Sequence, residues 1–173
     1  MQWILRDADH TEQIGAALAQ GLRPGDFIGL IGDLGAGKTC LTRGLMAGLW
    51  SVRGQGTPSE AVTSPTYTLL NLYPAPTPFE EVLHADLYRL EDADDLASTG
   101  YWDAVESAGL SVVEWVDRIP DAWPGPGIEI TLSHRDAQRA LTLSWRDLTG
   151  RRITAHPRVM DMKPLLDAVA PKP

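Results

Sequence analysis

The run Gly32-Asp33-Leu34-Gly35-Ala36-Gly37-Lys38-Thr39 constrains this chain more than any other stretch of it. It fits the pattern G-x-x-x-x-G-K-[ST], and its flanks have the character that the pattern needs. Phe27 to Ile31 reads as a short buried strand, and Cys40 to Leu49 reads as a helix. A strand, a glycine-rich loop and a helix, in that order, make a cradle for phosphate. The glycines let the backbone curl until several N–H groups, from Gly35, Ala36 and Gly37 through to Cys40, point at one place. The start of the helix adds unpaired donors and a favourable dipole. Lys38 brings a point charge for the β- and γ-phosphates of a nucleotide, and the Thr39 hydroxyl brings a ligand for Mg²⁺.

At 173 residues the chain has room for one domain with a proper core. Its net charge of −8 argues against broad electrostatic binding of nucleic acid by this chain alone, so any RNA it works on is held by something more basic, and DNA is not an expected partner. A single cysteine, Cys40, excludes an internal disulfide framework and suits a reducing compartment. Its backbone N–H serves the phosphate cradle while its thiol is expected to be idle. The N-terminus lacks the basic-then-apolar profile of a secretory leader, and no apolar run reaches the length of a membrane span. The expected address is the cytoplasm, without a membrane partner.

The remaining segments read as an alternation of strands and helices. Gln2 to Leu5 is a first strand, and Asp9 or Thr11 caps a helix that runs to about Gln20 with Ile14, Ala17 and Leu18 on one face. Arg23 to Asp26 is a turn, Trp50 to Glu60 a Gly-, Ser- and Pro-rich loop, and Thr66 to Tyr73 a strand. Val82 to Tyr88 is a strand with its extension, followed by short helices over Glu91–Leu96 and Trp102–Ser107 that meet near Gly100. Leu110 to Trp115 is a buried strand. Ile128, Ile130 and Leu132 alternate, as do Leu141, Leu143 and Trp145, which predicts a late antiparallel pair. Arg158 to Val169 reads as a terminal helix. This order predicts an α/β fold with helices on both faces of the sheet.

A phosphate cradle binds nucleotide; hydrolysis also needs acids for Mg²⁺ and for water at the ends of neighbouring strands. Glu114 ends the apolar run Leu110-Ser111-Val112-Val113 and is the candidate second ligand for the metal. Asp86 ends Val82-Leu83-His84-Ala85 and is the candidate for orienting the attacking water, or for holding the metal through water. His84 by itself reads as a packed or hydrogen-bonded residue. Thr63-Ser64-Pro65-Thr66-Tyr67 falls in the interval where switch-type nucleotide enzymes keep a segment that touches the γ-phosphate. It reads equally as a capped turn, because Ser-Pro commonly starts one.

Taken together, these motifs resemble the bacterial TsaE (YjeE) family, the ATPase of tRNA threonylcarbamoyladenosine biosynthesis. The resemblance rests on Thr11 to Gly15, Gly25-Asp26, the phosphate loop, Thr42 to Leu45, Thr63 to Leu69, His84-Ala85-Asp86-Leu87-Tyr88-Arg89-Leu90 and Val113-Glu114-Trp115, in that order, over roughly residues 8–143. It implies a P-loop NTPase-like three-layer α/β domain, with a central mostly parallel sheet and an antiparallel C-terminal hairpin. Residues 1–150 would form this domain and 151–173 an extension whose short helix packs on it.

The resemblance also implies that the chain binds and hydrolyses ATP with Mg²⁺, slowly alone, and supports the modification together with TsaD and TsaB, meeting tRNA only through that complex. Lys38 and Thr39 then hold phosphate and metal, and Glu114 is the second metal ligand. Asp86 and Thr66 serve hydrolysis or switching, and Thr11 and Arg139 lie near the adenosine end. Arg139 also reads as a solvated arginine at a hairpin edge, and Trp115 as a side chain beside the site, against a partner, or filling the core.

The sequence departs from the family at three places. Ala85 stands where the family has an aromatic residue, the loop Ser51 to Ala61 is longer, and nothing after Arg151 matches. Two other functions fit a phosphate cradle: a small-molecule kinase, which calls for an arginine-rich lid, and a nucleotide-dependent switch or binding module with negligible catalysis. A GTPase is disfavoured because no Asn-Lys-x-Asp reader of guanine occurs in the chain.

Overall fold

A computed structural model describes residues 1–51, 62–135 and 138–170. The chain begins with β1 (Gln2–Leu5), α1 (Ala8–Ala19), β2 (Asp26–Ile31) and α2 (Lys38–Ser51). It continues through β3 (Leu70–Pro74), β4 (Glu81–Asp86), α3 (Ala93–Ser98), α4 (Tyr101–Ser107) and β5 (Leu110–Glu114). A 3-10 turn at Pro120–Ala122 leads to β6 (Gly127–Arg135), β7 (Gln138–Arg146), β8 (Arg152–Ile153) and α5 (Pro157–Val169).

One sheet runs in the order β1-β7-β6-β2-β5-β4-β3, and β8 also pairs with β7. The four inner strands β6, β2, β5 and β4 are parallel. The β3–β4, β6–β7, β1–β7 and β7–β8 pairs are antiparallel. The mostly parallel centre and the antiparallel C-terminal hairpin are thus both present, and Ile128 pairs with Trp145 and Ile130 with Leu143 in the hairpin. Parallel strands need crossovers, and the helices that make them cover both faces of the sheet. Ile28, Leu30, Leu110, Val112, Ile130 and Leu143 pack under α1, α2 and α5. Phe27, Leu83, Ala85, Val113 and Val116 pack under α3 and α4.

The pairing of α1 with α2 fixes the position of the phosphate loop. A β-carbon added at Gly15 would lie 2.4 Å from the Leu41 carbonyl oxygen, and one at Gly44 only 2.1 Å from that of Glu12. The two helices therefore meet backbone to backbone, which only glycine permits. Helix α5 ties the chain's end to its beginning. Trp3 Nε1 donates to Asp167 at 2.9 Å, the Arg158 guanidinium pairs with Asp26, and Val159, Met162 and Leu166 are buried in the shared core.

Several boundaries differ from those the sequence suggests. Asp7, rather than Asp9 or Thr11, caps α1, its carboxylate accepting the His10 N–H at 2.7 Å. Thr11 sits inside the first turn and donates its hydroxyl back to the Asp7 carbonyl at 2.8 Å. The expected strand Thr66–Tyr73 begins only at Leu70. Its first half is a turn closed by Leu69 N–H on the Pro65 carbonyl at 2.6 Å, with Leu69 in the left-handed region at φ 65°. Turn chemistry after a proline outweighs β-branched composition there.

Strand β4 stops at Asp86 because the Asp86 carboxylate accepts the Tyr88 N–H at 2.9 Å and bends the chain. Strand β5 stops at Glu114, and Trp115 follows at φ 60°. Asp92 caps α3, so the helix expected from Glu91 starts at Ala93. Trp50 and Ser51 complete α2, and the rest of the expected loop Trp50–Glu60 lies outside the described residues, as does most of the longer family loop Ser51–Ala61.

Candidate functional site

Polarity on one face of the sheet rises toward the carboxyl ends of the parallel strands. Along β4 the side chains on the α2 side are Val82, His84 and Asp86; along β5 they are Leu110, Val112 and Glu114. Both stripes thus end in carboxylates, and Asp86 and Glu114 face one another in register. The loop after β2 reaches the same end of the sheet, where α/β proteins place their ligands. A cavity of about 290 Å³ opens there, lined by Leu34, Gly35, Gly37, Lys38, Thr39, Cys40, Arg43, Ser64, Thr66, Asp86, Tyr88, Glu114 and Trp115.

Gly32, Gly35 and Gly37 all adopt positive φ, at 149°, 76° and 104°. At Gly32 a β-carbon would strike the Leu132 carbonyl oxygen at 2.3 Å, whereas at Gly35 it would meet nothing within 4 Å. The loop is pressed against β6 on one side and open on the other. The first N–H groups of α2 have no partner within their own helix, and they begin at Lys38, where this open side lies. An anion of phosphate size fits such a setting.

Thr39 Oγ1 lies 2.9 Å and 3.1 Å from the two oxygens of the Glu114 carboxylate. His84 Nε2 lies 2.8 Å from Oε1 of the same group, and both His84 and Glu114 are buried. Among the described residues no three His, Cys, Asp or Glu side chains come together as a metal cage. A hydroxyl beside one carboxylate is instead the hard-oxygen pair that Mg²⁺ takes when phosphate oxygens and water complete its shell. The donor set fits that ion.

Asp86 gathers hydroxyls. Its Oδ2 accepts from Ser64 at 3.3 Å and, more closely, from Thr66, and those two hydroxyls are 2.7 Å apart. The segment of Thr63 to Tyr67 therefore does bend onto the acid at the end of β4.

Lys38 is buried and held by its own loop. Its Nζ donates to the carbonyls of Gly32 at 2.6 Å and Asp33 at 3.0 Å, and lies 3.6 Å from the centre of the Trp115 ring. Burial lowers the Lys38 pKa, against the pull of the Glu114 and Asp86 carboxylates. The Trp115 ring packs in turn on Tyr88, with centroids 4.9 Å apart. Trp115 thus lies beside Lys38 at the cavity and also packs against the apolar cluster under α3 and α4.

The candidate residues divide into two groups. Gly35, Gly37, Lys38, Thr39, Cys40, Thr66, Asp86 and Glu114 line the cavity. Ala36, Thr11 and Arg139 do not. Ala36 is fully buried behind the loop. Thr11 and Arg139 meet behind Gly37, where an added β-carbon would touch Thr11 Cγ2 and Arg139 Cδ, each at 3.7 Å. Thr11 is fully buried, while the Arg139 Nε is buried without a hydrogen-bond partner among the described residues. Cys40 lines the cavity with its thiol pKa raised by burial, its sulfur 3.3 Å from the Ala8 carbonyl.

Sequence reasoning passed over Arg43, which Glu12 holds at 3.0 Å, and Tyr88 at the rim. His84, read from the sequence as packed or hydrogen-bonded, is both; that its partner is Glu114 was signalled only by its position two residues before Asp86 on one strand face.

The model of the family described as "Threonylcarbamoyl adenosine biosynthesis protein TsaE" matches residues 5–141. The tRNA threonylcarbamoyladenosine biosynthesis protein TsaE of Treponema pallidum is 32% identical over 145 residues, which cover 83% of this chain and 100% of that protein. The protein of the same name from Bacillus subtilis is 32% identical over 149 residues, 83% of this chain and 85% of the relative. That of Streptomyces coelicolor is 43% identical over 103 residues, 60% of this chain and 65% of the relative. The crystal structure of Bacillus subtilis YdiB superimposes with a TM-score of 0.65 at 24% identity, over 97% of this chain and 95% of that one, so the two share a fold.

Proposed function

The chain belongs to the TsaE family of threonylcarbamoyl adenosine biosynthesis proteins, and from that premise we propose that it binds and hydrolyses ATP with Mg²⁺ to support tRNA threonylcarbamoyladenosine formation together with TsaD and TsaB. The observation that carries this reading is the contact of Thr39 with both oxygens of Glu114 at the mouth of the glycine-rich loop. A loop, a hydroxyl and an acid from three separate elements meet there, which a phosphate-binding turn alone does not require.

The residues divide the work. The N–H groups of Gly35 and of Gly37 to Cys40, with the Lys38 ammonium, would hold the phosphates; the Ala36 N–H is taken by the Asp33 carbonyl at 3.1 Å. To reach a phosphate, Lys38 must exchange at least one of its loop carbonyls or the Trp115 ring. Thr39 and Glu114 would hold Mg²⁺, which supplies neutralising charge to the phosphoryl oxygens. Asp86, an acceptor already aligned by Ser64 and Thr66, would orient the attacking water. Arg139, whose Nε has no partner among the described residues, would serve the adenosine end, with the Thr11 methyl beside it. Thr11 would act there by packing, since its hydroxyl is taken by Asp7.

The −8 charge supports a division of labour in which more basic partners hold tRNA. Among the described residues no helix is long and apolar enough to cross a membrane, and the single cysteine accords with a cytoplasmic address. The test is ATP hydrolysis by the purified chain, alone and with TsaB and TsaD, beside an assay of tRNA modification. Slow hydrolysis that the partners stimulate, with modification dependent on this chain, is the expected result. Hydrolysis that ignores the partners but follows a small phosphate acceptor would favour a kinase instead.

A further inference from the structure

We propose that His84 is a positioning residue for the magnesium ligand: its Nε2–H fixes the Glu114 carboxylate in the orientation that faces Thr39. This inference rests on the Mg²⁺–ATP reading of the site.

An ionised carboxylate only accepts, so a ring nitrogen 2.8 Å from Glu114 Oε1 must carry the proton of that bond. The other ring nitrogen, Nδ1, is buried and has no partner among the described residues. The contact therefore places a proton on Nε2 of His84. Glu114 is buried at the end of β5, where an unpaired carboxylate would be costly. Two donors meet it: the Thr39 hydroxyl from α2 and the His84 imidazole from β4.

These two donors differ in what a metal does to them. The Thr39 hydroxyl lies where the ion is to bind, so its bond to Glu114 is surrendered or rearranged when the metal arrives. The bond from His84 comes from within the sheet and survives. His84 is thus the group that keeps the carboxylate aimed during loading, the role that outer partners play around metal ligands. The register supports this: His84 stands beside Val112 and Asp86 beside Glu114, so the imidazole reaches diagonally forward to the acid of the next strand.

The test compares His84→Leu, which removes the donor, with His84→Gln, whose amide N–H can restore it. ATP binding is titrated calorimetrically at fixed ATP over a range of Mg²⁺, and again with the metal chelated. The Mg²⁺ concentration for half-maximal enhancement should rise about tenfold or more in His84→Leu and return toward wild type in His84→Gln, while metal-free binding stays the same in all three. A folded His84→Leu with the wild-type Mg²⁺ requirement overturns the proposal.

Should His84→Leu fail to fold, the ¹⁵N spectrum of the imidazoles in the wild-type chain decides. The His84 signals are identified by their loss in His84→Gln. A protonated Nε2 supports the proposal, and a bare Nε2 overturns it. Failure of the underlying reading looks different: wild-type protein would then bind no ATP with or without Mg²⁺.

Discussion

The Thr39 hydroxyl rests on the Glu114 carboxylate, at 2.9 Å and 3.1 Å from its two oxygens, across 75 positions of the chain. Thr39 opens the helix after the glycine-rich loop and Glu114 closes the strand beside it, so the contact exists only when β2 and β5 are neighbours. If these two oxygen donors hold Mg²⁺, removing one should damage hydrolysis more than binding. Glu114→Gln keeps the shape and loses the charge. It should bind ATP in the absence of metal as wild type does, and its Mg²⁺-dependent hydrolysis with partners present should fall about a hundredfold. Steady-state phosphate release and metal-free titration separate the two effects, and an unchanged turnover would remove Glu114 from the metal.

Lys38 presents the complementary case, because its charge belongs to binding. A charge-assisted hydrogen bond contributes about 1.5–3 kcal/mol, which corresponds to roughly ten- to a hundredfold in affinity. Lys38→Ala should weaken ATP by that factor, with or without Mg²⁺. It should also alter Trp115 fluorescence in the nucleotide-free protein, because the ring loses the ammonium 3.6 Å from its centre. Equilibrium titration measures the first and an emission spectrum the second.

The parts of the site legible in the sequence were those carried by local pattern. The loop with Lys38 and Thr39 declares itself by spacing, and Asp86 and Glu114 by standing at the ends of expected strands. What stayed hidden depends on register between strands or on groups that turn back on themselves. His84 becomes a partner of Glu114 only through the β4–β5 pairing. The hydroxyl of Thr11 is lost to Asp7 because the helix is capped at Asp7, ahead of both Asp9 and Thr11. The pairing of β1 with β7 joins residues near the two ends of the domain, and no periodicity foretells it. The strand expected at Thr66 failed because composition is a weaker signal than a turn closed by backbone hydrogen bonds.

Gly44 connects the fold to the site. A β-carbon there would lie 2.1 Å from the Glu12 carbonyl oxygen, 2.5 Å from the Glu12 Cα and 2.6 Å from its carbonyl carbon, all backbone that cannot swing aside. Gly44→Ala must push α1 away from α2. Overpacking of this kind costs about 3 kcal/mol or more, a fall in Tm of roughly 10 °C for a chain of this size. Because α1 also carries Thr11 to the back of Gly37, the surviving folded protein should bind ATP more weakly. Thermal unfolding and nucleotide titration of the same sample check both, and a Tm within a degree of wild type would show that the helices can separate freely.

Asp167 offers a pH-dependent test of how the terminal helix is held. Its carboxyl is kept below the usual carboxylate range first by the Lys163 ammonium and then by the Trp3 indole N–H at 2.9 Å. A carboxyl whose folded pKa is depressed adds stability above its unfolded pKa, near 3.9, and loses that contribution as pH falls through the lower folded value. The pair is half exposed, so the effect is small. Asp167→Asn can still accept the Trp3 N–H and differs mainly in charge. Its Tm should lie about 1–3 °C below wild type at neutral pH, and the gap should close as pH drops below about 4. Melting curves of both proteins from pH 7 to pH 3 measure this, and a gap that stays constant would mean that the indole contact, not the charge, anchors α5 to β1.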